Sequence, residues 1–202
     1  EEAKAFLEPR LSSLPDPSLM AGMDSAVARI LSALDAKEHI CVWGDYDVDG
    51  VTSASQLLAF FEAIGSPARS FVPDRFRDGY GLNSDRIVEL AQDGVQLLIT
   101  VDCGISNAAE VAKATELSVD VIVVDHHQVP EEVPVAAAVL DPHQDGCPWP
   151  EKDLAACGVT WVLLVALRRA LRERGSFEGR TEPDLRSWLD LTAIGTVADM
   201  VP

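Results

Sequence analysis

Short apolar runs that alternate with helical stretches constrain this chain more than any other feature. HICVWG (39–44) shows no polar alternation, so both of its faces are expected to be buried, as in a parallel sheet. GVTSASQLLAFFEAIG (50–65) follows with helical spacing and ends at a glycine. ARSFVP (68–73) reads as the next strand, and the polar loop DRFRDGYGLN follows it. A helix near 84–93 leads into the strand VQLLITVD (95–102), and a helix at about 106–117 leads into VDVIVVD (119–125). This alternation predicts an α/β domain with a mostly parallel sheet of about five strands flanked by helices, the fifth being short, at 135–140. Residues 1–38 form a helical lead-in, in which SLMAGMDSAVARILSALDA (18–36) is expected to be a packing helix with a serine at its start. Past residue 126 the rhythm breaks into proline-rich loop. LAACGVTWVLLVALRRALRER (154–174) is a strong helix, and a last helix is expected at 183–194, before GTVADMVP.

Composition narrows the classes. At 202 residues one large domain is expected. No apolar run approaches the roughly 20 residues of a membrane span. The opening EEAKAFLEPR has neither the basic end nor the apolar stretch of a signal peptide. Cys41, Cys103, Cys147 and Cys157 form no C-x-x-C pair, so reduced thiols in a cytoplasm are expected. A zinc site from His143, Cys147 and Cys157 would lack the paired short spacings of structural zinc. The net charge of −17 argues against a simple nucleic-acid binder. A polyanionic substrate stays compatible if metal ions, or another part of the protein, supply the positive charge.

The acids fall at informative places. Asp45 and Asp47 lie just past strand one, Asp102 ends strand three, and Asp125, His126 and His127 end strand four. In open parallel sheets the ligand crevice lies outside the carboxyl ends of the strands, so distant segments deliver acids and imidazoles to one rim. Within GDYDVDGVTS, Asp45, Asp47 and Asp49 crowd like charges together. A calcium loop would share the glycine at its sixth position, but its twelfth residue here is Gln56 rather than a glutamate. An aspartyl-nucleophile phosphatase would need a lysine near the phosphate, and Lys113 and Lys152 are poorly placed. Solvated carboxylates capping the helix at Gly50 would account for Asp49 alone. Divalent ions relieve the crowding, and oxygen-rich donors with an imidazole suit Mn²⁺ or Mg²⁺. Two such ions, about 3.5–4 Å apart, serve phosphoryl transfer.

GDYDVDGVTS, TVDCGIS, VVDHHQVP and IGTVADMVP, in that order, resemble the four motifs of the DHH phosphoesterases. FVPDRFRDGYGLN, with the wording of the first and last motifs, resembles the RecJ-type exonucleases within them. The likeness runs over essentially the whole chain. It implies a DHH phosphoesterase domain over 39–202, and metal-dependent 5′→3′ hydrolysis of single-stranded DNA in repair and recombination. It implies that Asp47, Asp102, His126 and Asp199 hold one metal, and that Asp45 holds a second with Asp102 bridging, as Mn²⁺ or Mg²⁺. His127 would sit by the scissile phosphate, and Asp125 would fix His126 or the backbone, or else cap the following turn. Asp102, Asp125 and His127 would thus form the catalytic group. Arg75 would grip a backbone phosphate and Tyr80 would stack on a nucleotide, or the two would form a structural turn with a solvated arginine. Trp43 stands where related pyrophosphatases carry a metal-binding histidine, so the second metal is expected to be looser; Trp43 itself is expected in the core. Gly50, Thr52 and Ser53 would meet a phosphate or serve ordinary capping. The arginines at 168, 169, 172 and 174 are expected to be a solvated helix end. The resemblance implies that the family's second domain (DHHA1) and oligonucleotide-binding barrel are expected outside this chain. They would complete the DNA cleft, and helicase or single-strand-binding partners would engage those parts. Two other readings remain: a phosphodiesterase acting on short oligonucleotides or cyclic dinucleotides, and a non-catalytic binding module of a replication assembly.

Overall fold

The computed structural model describes Leu7, residues 10–77 and residues 79–201. Five strands run β1 (His39–Gly44), β2 (Arg69–Phe71), β3 (Val95–Val101), β4 (Asp120–Val124) and β5 (Ala138–Leu140). They form one sheet in the order β2-β1-β3-β4-β5, and every pairing is parallel. Among the described residues the sheet is accompanied by the α-helices α1 (Met23–Ala36), α2 (Val48–Ala63), α3 (Ser84–Gln92), α4 (Ala108–Glu116), α5 (Ala156–Glu173) and α6 (Leu189–Asp199).

Strand chemistry explains the layering. Successive residues of a strand point to opposite faces, and here both faces are covered. Ile40, Val42, Leu97, Ile99, Ile122 and Val124 enter one core with α1, α2 and α5. Cys41, Trp43, Leu98, Val121 and Val123 enter the other with α3 and α4. The first core holds Leu57, Phe60 and Phe61 of α2, each fully buried and each stabilising the fold by roughly 1.5–3 kcal/mol on area grounds. Trp43 is likewise fully buried, its ring 4.3 Å from that of Phe71, so it is a core residue as expected. Among the described residues no helix is long and apolar enough to cross a membrane.

The chain leaves β1 toward β2, then returns across β1 to β3. β1 and β3 therefore flank the switch point, and their carboxyl ends open onto the crevice that such a reversal creates.

The first and last helices differ most from expectation. The first helix starts at Met23, because the left-handed turn at Gly22 (φ 81°) separates it from a 3₁₀ turn at Pro17–Leu19. That turn is capped by Asp16, whose carboxylate accepts the Ser18 amide, rather than by the serine. The last helix runs on through Gly195 to Asp199, after a 3₁₀ turn at Leu185–Trp188. Of the lead-in expected over 1–38, residues 1–6, 8 and 9 lie outside the described residues.

Candidate metal centre

The carboxyl ends of β1, β3 and β4 carry Asp45, Asp102 and Asp125 one residue past each strand. Asp45 is 2% exposed and Asp102 2% exposed, which is unusual for charged side chains and marks a built rim. Asp47 caps α2 by accepting the Gly50 amide at 2.9 Å, the role considered for Asp49. A Cβ on Gly50 would sit 2.5 Å from the Asp45 carbonyl oxygen, so only glycine lets α2 begin this close to the strand end. The Gly50 amide is thus already engaged. Thr52 Oγ1 donates to the Val48 and Asp49 carbonyls, and Ser53 is buried, so this segment caps and packs the helix.

Asp102 is the hub. Its backbone is left-handed (φ 61°), a conformation worth about 1–3 kcal/mol of strain in a non-glycine residue and frequent at active sites. Burial, reinforced by the charges of Asp49 and Asp47, pushes its carboxyl up to about 10. Donor atoms of Asp45, Asp47 and Asp102 lie within 4.8 Å of one another. On the other side Asp102 Oδ1 is 3.3 Å from His126 Nε2, and Asp199 Oδ2 is 3.6 Å from the same nitrogen. Asp102, His126 and His127 form a second group within that reach, and Asp49, His126 and Asp199 a third.

Three buried atoms here lack a hydrogen-bond partner: Asp45 Oδ1, Asp102 Oδ1 and His126 Nε2. Leaving such a group unsatisfied costs about 1–3 kcal/mol, more when it is charged. A divalent cation would engage all of them, and the donor set, oxygens with an imidazole, fits Mg²⁺ or Mn²⁺.

Asp125 is fully buried and serves His127 and the backbone rather than the His126 ring. Its Oδ1 lies 2.7 Å from His127 Nδ1 and accepts the His126 amide at 2.8 Å, while Oδ2 accepts the Ile105 amide at 2.9 Å. Burial by itself would raise this carboxyl, but the bonds from His127, Ile105 and His126 together hold it below the usual carboxylate value. The Asp125 hydrogen bond in turn raises the His127 imidazole.

The loop residues Tyr80 and Arg75 stand beside the rim. Tyr80 Oη lies 3.4 Å from His127 Nε2 and 3.4 Å from the Asp102 carbonyl oxygen, with its ring edge-on to His127. The Arg75 guanidinium stands 5.1 Å from the Tyr46 ring centroid, beside the acids.

Other candidates fall away from this rim. Lys113 pairs with Glu116, and Lys152 Nζ donates to the Pro142 and Cys147 carbonyls. His143, Cys147 and Cys157 join none of the ligand groups found among the described residues. The arginines at the end of α5 are paired, Arg168 and Arg172 with Glu182, Arg169 with Asp16 and Arg174 with Asp35, so they form an ion-paired surface.

The sequence profile of the DHH family's N-terminal domain matches residues 39–196. This chain belongs to the DHH family. The DHH domain is 41% identical over 202 residues, all of this chain, to the single-stranded-DNA-specific exonuclease RecJ of Bacillus subtilis (strain 168). It is 43% identical over 199 residues, 97% of this chain, to the protein of the same name from Dickeya dadantii (strain 3937). The chain spans only 24% and 34% of those two relatives. The crystal structure of exonuclease RecJ bound to manganese superposes with a TM-score of 0.78 at 35% identity, covering 91% of this chain and 44% of that one.

Sequence reasoning placed the acids of all four DHH motifs but missed what Asp49 does. It is 1% exposed, and it accepts the Ala156 amide at 2.6 Å and the Cys157 amide at 2.9 Å, across more than 100 residues of chain. The available signal was that Ala155, at the start of α5, cannot cap its own helix.

Proposed function

We propose that this chain is the catalytic, metal-bearing domain of a single-stranded-DNA-specific exonuclease. The enzyme hydrolyses phosphodiester bonds in the 5′→3′ direction and serves DNA repair and recombination in the cytoplasm. One observation carries the reading. The buried Asp102 carboxylate reaches Asp45 and Asp47 on one side and His126 on the other, with its Oδ1 unpartnered. Asp47, Asp102, His126 and Asp199 would hold one Mn²⁺ or Mg²⁺, and Asp45 with the shared Asp102 a second. When bound, such ions supply Lewis acidity for water activation and positive charge against that growing on the scissile phosphate. With Trp43 buried where a histidine donor would stand, the second position rests on fewer protein donors.

The chain's own groups do the rest. Asp125 accepts a hydrogen bond from His127 Nδ1 and favours the protonated ring, leaving an Nε2–H to hold a non-bridging phosphate oxygen. Tyr80 Oη lies beside that nitrogen and limits the ring's swing. Arg75, beside the acids, is placed to grip a backbone phosphate, which sets register without reading sequence.

The identity to proteins named for single-stranded DNA supports the substrate class. A net charge of −17, on a chain that spans 24% and 34% of those relatives, supports a reading in which other parts of the protein supply most of the basic surface. Those parts would form the opposite wall of the cleft and engage a helicase or a single-strand-binding protein. The test measures Mn²⁺-dependent nucleotide release from 5′-phosphorylated single strands, from duplexes and from dinucleotides. Weak, single-strand-selective hydrolysis that Asp102→Ala abolishes is expected of this domain. Hydrolysis retained in Asp102→Ala would sink the catalytic reading, and a preference for dinucleotides would replace the substrate.

A further inference from the structure

Asp49, the third acid of the first motif, has both of its oxygens engaged by backbone amides of a distant helix. Asp45 and Asp102 each leave an oxygen unpartnered at the rim. Asp49 instead spends Oδ2 on the Ala156 amide and Oδ1 on the Cys157 amide, two of the unsatisfied donors at the start of α5. A carboxylate at that end also complements the helix dipole. Asp49 Oδ2 remains 3.8 Å from His126 Nε2, so the carboxylate faces the centre while holding a helix.

The third helix of the junction closes on the same point. A Cβ on Gly195 of α6 would lie 2.5 Å from Thr52 Oγ1, 2.6 Å from Cys157 Sγ and 2.9 Å from Asp49 Oδ1. No side chain fits there. α6 therefore packs backbone-first onto Asp49, Thr52 and Cys157. The contact continues along the helices: Cys157 Sγ reaches the Thr192 carbonyl at 3.3 Å, and Thr192 Oγ1 donates to Gln56 Oε1 at 3.3 Å. Gln56 Nε2 donates to the Cys157 carbonyl at 3.3 Å. One turn beyond Gly195 stands Asp199, 3.6 Å from His126 Nε2.

We infer that Asp49 is a positioning residue: it pins α5 to α2 and forms, with Thr52 and Cys157, the seat on which Gly195 sets α6 so that Asp199 meets His126. This rests on the metal centre proposed above. It assigns the third acid of the motif a role through Asp199, and it makes Gly195 a residue whose replacement displaces a donor without altering any donor.

The test is Mn²⁺ binding by electron paramagnetic resonance titration of the chain, with far-ultraviolet circular dichroism as a check on folding. Asp49→Asn and Gly195→Ala are both expected to stay helical and to bind Mn²⁺ about 10- to 100-fold more weakly, the range for loss of groups that orient metal ligands. Unchanged affinity in the two folded variants would overturn the inference. Weakening in Asp49→Asn with wild-type affinity in Gly195→Ala would also overturn it, because Asp49 would then be a donor itself. Should Gly195→Ala not fold, adding Thr52→Ala and Cys157→Ala must restore both fold and Mn²⁺ binding, since these remove two of the three obstructing atoms. Failure of that rescue would count against the seat. A wild-type chain that takes up no Mn²⁺ would instead overturn the metal centre beneath the inference.

Discussion

Replacing Asp125 by asparagine changes one atom in a fully buried group. The amide oxygen can take the place of Oδ1 and still accept from the His126 amide and His127 Nδ1. The NH₂ then occupies the Oδ2 position and faces the Ile105 amide, donor against donor, where a 2.9 Å bond stood. Losing a hydrogen bond to a charged acceptor costs about 1.5–3 kcal/mol, and the orphaned buried amide adds to it, so about 3 kcal/mol is expected in all. For a domain of this size each kcal/mol lowers the melting temperature by about 2–4 °C, which gives a fall of roughly 6–12 °C. Thermal unfolding followed by circular dichroism, without added metal, measures it. Asp125→Ala should lose more, because the His126 and His127 amides and the His127 ring lose their acceptor too. An Asp125→Asn domain that melts with the wild type would refute the account of this carboxylate as the acceptor that fixes the rim.

Three further outcomes follow from the same geometry. Mn²⁺ at about 100 times its dissociation constant should stabilise the domain by about 2.7 kcal/mol, and a chelator should reverse the shift; a melting temperature indifferent to both would exclude ion binding by the native state. The Cys41 and Cys157 thiols, each pushed up to about 12 by burial, should resist a thiol reagent at neutral pH until the chain unfolds, as a colorimetric thiol titration would record. Tyr80→Phe keeps the ring but removes the hydroxyl near His127 Nε2, so kcat should fall about 2- to 10-fold, the worth of one long hydrogen bond, with strand affinity unchanged. Weaker strand binding with kcat intact would return Tyr80 to a stacking role.

Some of this was legible in the residues and some was not. HICVWG matched β1 residue for residue, because a doubly buried parallel strand leaves an unbroken apolar run with few alternative readings. The convergence of Asp45, Asp47, Asp102 and His126 also followed from local patterns, since each lies at or just past a strand end and strand ends in a parallel sheet share a rim. Asp49 was opaque for the opposite reason: its partners, Ala156 and Cys157, belong to a helix whose position depends on the finished fold. Gly195 misled in the same way. A glycine late in a helical stretch reads as an end, yet here the missing side chain lets the helix pass close to its neighbours and continue to Asp199. Tyr80 was read as a stacking residue or part of a turn, and its hydroxyl contact with the Asp102 carbonyl joins segments 22 residues apart, which no local pattern announces.

The donor atoms come from near residues 45, 102, 126 and 199, and the last of them arrives on α6. A chain in which α6 has not yet docked therefore owns the Asp45, Asp47 and Asp102 group but lacks the Asp199 donor beside His126. The histidine side of the cage is complete only once α6 has docked, so the four-donor position reports that the domain has finished folding.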